Sequence, residues 1–273
     1  MAAASSLPTR GPARYLRLLG VQLRASLLLM MQYRVDFFVD VGLSVFWIAV
    51  SLVPLLVLFG QRSSVAGWSF AEALLVVAWF TVLKGVLEGA IQPALQAVVE
   101  HIRTGTLDFL LLKPVDAQFM VSTARFELGK TADVLSGLLI LGYALHRLGH
   151  RPSLGAVLLT LALLLGAILL LYSIWILVIS LAFYVVKVDN LSYLFSSIFD
   201  AARWPASIFR GALSFFFTFV IPLAVMTTYP ALSILGRLPA HRVLGALVGA
   251  VIFAWCSRQV WKGALRRYTS GGG

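Results

Sequence analysis

The stretch LGAVLLTLALLLGAILLLYSIWILVISLAFYVV, residues 154–186, contains thirty-three amino acids and no charged side chain. As an α-helix it would be about 50 Å long, because each residue adds about 1.5 Å. The hydrocarbon core of a bilayer is only about 30 Å thick. The stretch therefore predicts a transmembrane helix that tilts within the membrane or projects beyond it.

The composition of the whole chain agrees with a membrane location. Of its 273 residues, 60% are hydrophobic and 12% are charged, whereas soluble domains carry about 25% charged residues. The net charge is +11, but the basic residues stand mostly between apolar runs. That distribution is typical of membrane proteins and argues against a nucleic-acid partner. Cys256 is the only cysteine, so the sequence excludes a disulfide within the chain.

Further apolar runs predict an all-α integral membrane protein with six transmembrane helices. Numbered along the chain, the predicted spans 1 to 6 are residues 41–60, 70–98, 134–148, 154–186, 191–209 and 243–260. Residues 211–236 are also free of charge, but Pro222 and Pro230 interrupt them, and proline disrupts a helix. A re-entrant helical hairpin between spans 5 and 6 fits this segment at least as well as a seventh straight span.

The chain divides into four predicted segments. These are a disordered tail (1–12), an amphipathic interfacial helix (13–34), a six-span transmembrane domain (35–265) and a cytoplasmic tail (266–273). In the second segment, Arg14, Arg17, Arg24 and Gln32 fall within an arc of about 80° on a helical projection. We expect this face to lie against lipid phosphates. The alternative is a helix that extends span 1 into the cytoplasm.

The basic residues also predict the orientation. If residues 211–236 re-enter from outside, the inner segments hold fourteen Lys and Arg residues and the outer segments hold seven. The positive-inside rule then places both termini in the cytoplasm. A seventh span would move the basic C-terminal tail outside. The sequence thus predicts a multi-pass protein of the inner (plasma) membrane.

The segment between spans 2 and 3, residues 100–116, is rich in charge. Gly105 is predicted to end the helix of span 2, and Thr106 to cap a new one. This new helix would cover about residues 107–113, where Pro114 stops it. A short helix between two spans can transmit force from a soluble partner, or it can be an ordinary loop helix in the membrane interface.

The same segment resembles a known family. The stretch RTGTLDFLLLKPVD, residues 103–116, is similar to the segment after the second span of type-2 ATP-binding-cassette (ABC-2) permeases. Four further stretches, YRVDFFVD, VDN, RWPASIF and FVIPLA, follow in the order expected of one ABC-2-type permease subfamily. On this combination, the chain is identified as a member of that subfamily.

The resemblance implies an N-terminal connecting helix, a cytoplasmic coupling helix and short re-entrant helices. It also implies an exporter built from two ABC ATPase subunits and two permeases, the second being the same or homologous. Because the chain lacks a GxxxxGK[ST] phosphate-binding loop, ATP would be bound by the ATPase partner, and no cofactor is expected here. By position, the contacts with the ATPase would be Arg103, Gly105, Thr106, Leu107, Asp108, Lys113 and Pro114.

Span 2 carries a polar stripe, Lys84, Glu88, Gln92 and Gln96, at intervals of four residues. Lys84 would lie about 21 Å along the helix, where an unpaired charge costs about 2.5–3.5 kcal/mol. We therefore expect Lys84 and Glu88 to pair and to face protein or water. The stripe would line a translocation path or a dimer seam, or fix span 2 against a neighbouring helix. The rest of the candidate path is mostly apolar and does not identify the substrate, which we expect to be lipophilic or amphipathic.

Two other function classes stay open. An intramembrane lipid-modifying enzyme would need clustered His, Asp or Glu side chains at one membrane level, and no catalytic or metal site is predicted here. An ion-coupled secondary transporter could use Lys84 and Glu88 as its ion site, although the sequence shows no two similar halves.

Overall fold

The computed structural model describes residues 11–184, 189–217 and 221–268, and every regular element in them is helical. The helices are α1 (Pro12–Gln32), α2 (Arg34–Gln61), α3 (Phe70–Val86), α4 (Gln92–Arg103), α5 (Leu107–Leu111), α6 (Ala117–Ser122), α7 (Thr131–Leu148), α8 (Leu154–Ser180), α9 (Asp189–Phe199), α10 (Ala212–Phe215), α11 (Tyr229–Ile234) and α12 (Ala240–Leu265). The predicted tails, 1–12 and 266–273, lie largely outside the described residues.

Within the described residues, five helical segments are long and apolar enough to cross a membrane. They are Arg34–Gln61, Phe70–Arg103, Leu128–Leu148, Leu154–Phe183 and Ala240–Leu265. They coincide with predicted spans 1, 2, 3, 4 and 6, so the prediction of an all-α integral membrane protein is confirmed. Predicted span 5 is not among them.

Residues 191–209, predicted as span 5, do not form one regular helix. Helix α9 ends at Phe199, and two 3₁₀ turns follow, Asp200–Arg203 and Ala206–Ile208. Between the turns, Trp204 has extended φ and ψ angles of −100° and 143°. The physical reason is Pro205, since a proline disfavours the helical conformation of the residue before it.

This broken segment nevertheless runs alongside α3. The ring of Phe199 lies 5.4 Å from that of Phe80, which is in the middle of α3. Further along, Trp68 Nε1, just before α3 begins, donates a hydrogen bond of 3.0 Å to Ser207 Oγ. Residues 199–207 therefore follow α3 from its middle to its first turn.

Two pairs of helices form the centre of the bundle: α3 packs along α7, and α8 packs along α12. A Cβ atom built on Gly137 of α7 would lie 2.9 Å from the carbonyl oxygen of Ala78. A Cβ atom on Gly85 of α3 would lie 2.9 Å from the amide nitrogen of Val134. Small residues allow this close approach between membrane helices, where lipid supplies no hydrophobic driving force.

The segment from α10 to α11 begins and ends near the same end of α3. Before it, Ser207 accepts the hydrogen bond from Trp68; after it, Arg237 pairs with Glu72 in the first turn of α3. Between these points, Thr227 Oγ1 donates a hydrogen bond of 2.8 Å to the carbonyl oxygen of Ala202. The segment thus touches the broken helix beside α3 before it returns.

Candidate functional site

Gly105 ends the helix that continues from α3, as the sequence predicts. Its φ of +67° is in the left-handed region, which glycine adopts without strain. The amide of Thr106 donates to the carbonyl oxygen of His101 (3.0 Å), and that of Gly105 donates to Ile102 (3.3 Å). These two bonds form a Schellman motif, which satisfies carbonyl groups at the end of α4.

Thr106 stands at the N-cap position of the next helix, as predicted, but its side chain makes no capping hydrogen bond there. Its φ and ψ angles of −87° and −1° are helical, whereas a capping residue is normally extended. Its Oγ1 is instead hydrogen-bonded to His101 Nδ1 (2.7 Å) and Thr104 Oγ1 (2.9 Å). The hydroxyl of Thr106 therefore stabilises the turn between α4 and α5 rather than the first turn of α5.

Helix α5, Leu107–Leu111, is shorter than the predicted 107–113, since Leu112 and Lys113 lie beyond its end. Leu107 is fully buried in the core. Phe109 and Leu112 are 71% and 81% exposed. One face of the turn is therefore anchored in the bundle, and the other presents two large apolar side chains.

The remaining predicted contact residues surround this turn. Arg103 Nη1 lies 3.9 Å from Glu100 Oε2 on the surface of α4. Asp108 lies near Tyr268, which is close to the C-terminus. Burial raises the pKa of this tyrosine, and the negative charge of Asp108 raises it further. The seven predicted residues therefore lie in and around one helical turn, where six of them are at least partly exposed and Leu107 is buried.

A polar network behind α5 was not predicted. Asp116, which follows Pro114, forms an ion pair with Arg258 of α12. Arg258 also donates a hydrogen bond of 2.6 Å to Gln118 Oε1, and Gln118 donates one of 2.9 Å to the hydroxyl of Tyr172 in α8. The network joins the segment after α5 to two central helices. Each of these side-chain bonds joins residues 54 to 142 positions apart in sequence, so no local pattern indicates the network.

Asp116 is charged at neutral pH. Burial alone would raise the pKa of its carboxyl group, and it is the largest single influence. Hydrogen bonds from Arg258 and from the amide of Phe119, together with the charge of Arg258, outweigh it. The net result is a pKa below the usual value, which favours the ion pair.

Glu88, in the predicted polar stripe, lies between two lysines. Its Oε2 is 2.8 Å from Lys130 Nζ, and its Oε1 is 3.7 Å from Lys84 Nζ. Lys84 Nζ also lies 3.7 Å from Asp200 Oδ1, which is 3.1 Å from Arg203 Nη2. The sequence predicted the pairing of Lys84 with Glu88 but missed Lys130 and Asp200 as partners.

A π-helical turn, Leu87–Ile91, places Glu88 at this position. Such turns insert an extra residue into a helix and occur frequently at functional sites. Next to Glu88, Gly89 lets the chain before α7 approach: its carbonyl oxygen accepts a hydrogen bond of 2.8 Å from the amide of Glu127. A Cβ on Gly89 would lie 3.1 Å from the Cβ of Lys130.

The polar stripe lines two adjoining cavities. The first, which we call the charged cavity, has a volume of about 630 Å³ and contains Lys84, Glu88, Lys130, Asp200 and Arg203 in its wall. Its wall also contains Asp133 and a face of α2 that carries Asp40, Ser44 and Ser51 beside its apolar side chains. The second cavity, of about 600 Å³, is lined by Gln92, Gln96 and Glu100 and shares Glu88 and Lys130 with the first. All four stripe residues therefore face open space.

In the part of the chain that the structure describes, no three His, Cys, Asp or Glu side chains are grouped so as to hold a metal ion. The carboxylates of the charged cavity instead lie beside lysine or arginine side chains. This arrangement can bind ions or polar head groups by charge and hydrogen bonding.

Comparison with known proteins supports the resemblance in the sequence. The family model described as "ABC-2 family transporter protein" matches residues 45–272. This region contains α3 to α12 and most of α2. No curated protein matched the chain, and no solved structure did.

Proposed function

The chain belongs to the ABC-2 family of transporter proteins, and on that premise we propose that it is the permease subunit of an ATP-driven exporter. The membrane helices would carry a lipophilic or amphipathic substrate, and two ABC ATPase subunits would bind and hydrolyse ATP. A second permease, the same or homologous, would complete the complex. The family is one of transporters rather than enzymes, so no catalytic role is proposed for the chain itself.

The observation that carries this proposal is the shape of α5. It is a single helical turn between two membrane helices, held by buried Leu107, with Phe109 and Leu112 exposed. Exposed large apolar side chains in such a position favour a protein partner. We propose that the ATPase docks here, with Arg103, Asp108 and Lys113 forming the charged rim of the contact.

The network behind α5 supplies a route for transmitting the movement. Asp116 is only two residues beyond Pro114, which follows α5. A displacement of α5 by the ATPase would therefore also move Asp116. Asp116 is bound to Arg258 of α12, and Gln118 is bound to Tyr172 of α8. Displacement of α5 would therefore act directly on the central α8 and α12 pair.

We propose six crossings with both termini in the cytoplasm. We propose that α9 and the two 3₁₀ turns after it form the fifth crossing as a broken helix, because they follow α3 to its first turn. Residues 211–236 would then be re-entrant, since contacts at both ends lie near that same turn. Broken backbone is tolerated at membrane depth where protein surrounds it. Burial of Thr227 and Met226 fits this condition.

The charged cavity and its neighbour are the proposed translocation path. Glu88, Gln92 and Gln96 would provide polar contacts, and the apolar side chains of α2 in the cavity wall would receive the hydrophobic part of the substrate. The carboxylates around Lys84 also suit a second mechanism, ion-coupled transport. Dependence of transport on ATP distinguishes the two, since only the exporter requires a nucleotide.

The test is purification of the tagged chain from its native membranes, with identification of the proteins bound to it. An ABC ATPase should co-purify, and its ATP hydrolysis should respond to the permease. Replacing Asp108 or Thr106 should weaken this response while the chain still inserts into the membrane. Transport by the chain without any ATPase would overturn the proposal.

A further inference from the structure

A third cavity lies where α3 begins and α12 starts, at the end of the bundle opposite α5. Its volume is about 580 Å³. Residues from the loop before α3, the second 3₁₀ turn after α9 and the segment up to α12 line it. We call it the hairpin pocket, and its polar lining residues are Trp68, Ser207, Ser214, Thr228, Tyr229, Arg237 and Arg242.

The charged side chains that line this pocket are two arginines in different situations. Arg237 pairs with Glu72, whose side chain is only 10% exposed and also accepts a bond from the Ser69 amide (2.9 Å). For Arg242, no ion pair exists among the residues described. Arg242 lies in the first turn of α12, where the helix dipole disfavours a positive charge. An anion from outside the chain would balance this charge.

Hydroxyl groups complete the lining. Thr228 Oγ1 accepts a hydrogen bond of 3.1 Å from the amide of Ala206, so its own proton can be donated to another acceptor. Tyr229 and Ser207 add two further hydroxyl groups. Guanidinium and hydroxyl donors together match the oxygen atoms of a phosphate group, with arginine supplying two parallel donors.

The pocket also has an apolar part. Ala224 and Leu232 lie in its wall, and the indole of Trp68, 8% exposed, packs beside it. Tryptophan is enriched at the level of lipid head groups, where apolar chains and polar groups meet. This combination fits an amphiphile better than a free ion.

The pocket adjoins the charged cavity. Arg203 lines the charged cavity, and Ala206, three residues later, lines the hairpin pocket. Two hydrogen bonds close the wall between them: Thr227 Oγ1 to the carbonyl oxygen of Ala202, and the Ala206 amide to Thr228 Oγ1. A molecule that passed this wall from the charged cavity would enter the pocket that Arg242 lines.

We propose that the hairpin pocket binds the phosphate-bearing head group of an amphiphile, with Arg242 as its main charge partner. The inference rests on the proposed function, because export makes this the releasing side of the membrane. It adds a chemical class of substrate, an anionic amphiphile, and a site that holds the substrate after it passes the charged cavity.

The experiment uses the full chain in phosphatidylcholine vesicles, with Cys256→Ser removing the native thiol and Ala206→Cys placing one in the pocket wall. A membrane-impermeant maleimide added outside measures the rate of thiol labelling. Dioctanoyl phosphatidic acid is the probe, dioctanoylglycerol is its uncharged match, and inorganic phosphate is the free anion. We expect phosphatidic acid alone to slow labelling. Arg242→Gln should raise the concentration required by about tenfold, the loss of one charge-assisted contact.

The matched control is Arg62→Gln, because Arg62 is an exposed arginine in the loop at the same end of the bundle. It should leave protection unchanged. Equal protection by dioctanoylglycerol, or protection that survives Arg242→Gln, would overturn the head-group site. Protection by inorganic phosphate at the same concentration as phosphatidic acid would overturn the amphiphile and leave an ion site.

The two proposals fail separately. If no ATPase co-purifies but phosphatidic acid still protects the thiol, the exporter is wrong and the pocket stands. If an ATPase couples to the chain but protection is absent, the exporter stands and the pocket is wrong.

Discussion

Lys130 Nζ lies 2.8 Å from Glu88 Oε2, and this ion pair joins the chain entering α7 to the π-helical turn after α3. It is the shortest link in a series of charges that continues through Lys84 to Asp200. Membrane helices carry charges inside the bundle only where these are paired or face water. The pairing explains how three helical segments carry charge at this depth, and it makes Glu88 the residue on which the series depends.

Replacing Glu88 with Gln should therefore destabilise the protein by roughly 1–3 kcal/mol, because Lys130 and Lys84 lose their shared partner. Thermal unfolding of the purified protein in detergent measures the effect. Arg62→Gln, at an exposed position, is the control and should change little. A double variant, Glu88→Gln with Lys130→Met, should lose less stability than the sum of the single variants. Additive losses would show that the pair makes no energetic contact.

Replacing Gly137 with Ala should separate α3 from α7. The added Cβ would lie 2.7 Å from Val82 Cγ2 and 2.9 Å from the carbonyl oxygen of Ala78. Because the nearby backbone can move only at a cost in free energy, we expect the free energy of unfolding to fall by about 1–3 kcal/mol. Gly142→Ala, on the same helix with no atom within 4 Å of its added Cβ, is the control. Equal unfolding temperatures for the two variants would contradict the close contact.

Replacing Phe109 with Ala should weaken binding of the ATPase without affecting folding, because the side chain is 71% exposed. Leu107→Ala should do the reverse and cost about 2–5 kcal/mol of stability, since that side chain is fully buried. Co-purification measures the first effect, and thermal unfolding measures the second. A Phe109→Ala chain that binds and stimulates the ATPase normally would remove this surface from the interface.

The ion pair of Asp116 and Arg258 should give a defined pH dependence. The pKa of Asp116 is lowered in the folded protein, so its charged form stabilises the fold. This contribution is complete above the unfolded pKa of about 3.9 and is lost as the pH falls through the lower folded value. Asp116→Asn removes the charge but keeps a residue that caps helices well. The variant should be less stable than the wild type at pH 5 to 7, and the difference should shrink below about pH 4. A constant difference down to the lowest pH would show that the charge is not responsible.

Local pattern was sufficient to predict the long helices. Predominantly apolar runs indicated all five, and the position of Gly105 indicated where the helix continuing from α3 ends. Local pattern gave a wrong prediction where two sequence signals favoured different conformations. The apolar run 191–209 suggested a regular span, but Pro205 extends Trp204 and divides it. Thr106 suited a cap by residue type, yet the Schellman turn gives it helical angles and directs its hydroxyl to His101.

The sites were predicted less completely, because their partners are distant in sequence. The spacing of Lys84 and Glu88 within one helix indicated that they pair. Asp200 reaches Lys84 only because the broken segment after α9 runs beside α3, and no spacing within a helix encodes that contact. The same is true of Arg258, which reaches Asp116 across 142 positions through the packing of α12 against α8.

Helix α2 differs from the other wall of the charged cavity in how little of it is enclosed. In its most apolar window only 11% of the residues are buried, against 78% for the helix that begins at Phe70. A sideways movement of α2 would thus break few apolar contacts with the bundle, and lipid tails would cover the surface that α2 exposes. An acyl chain could then enter between α2 and α3 directly from the bilayer, while its head group stayed in the charged cavity. An amphiphilic substrate that entered in this way would not have to pass through water.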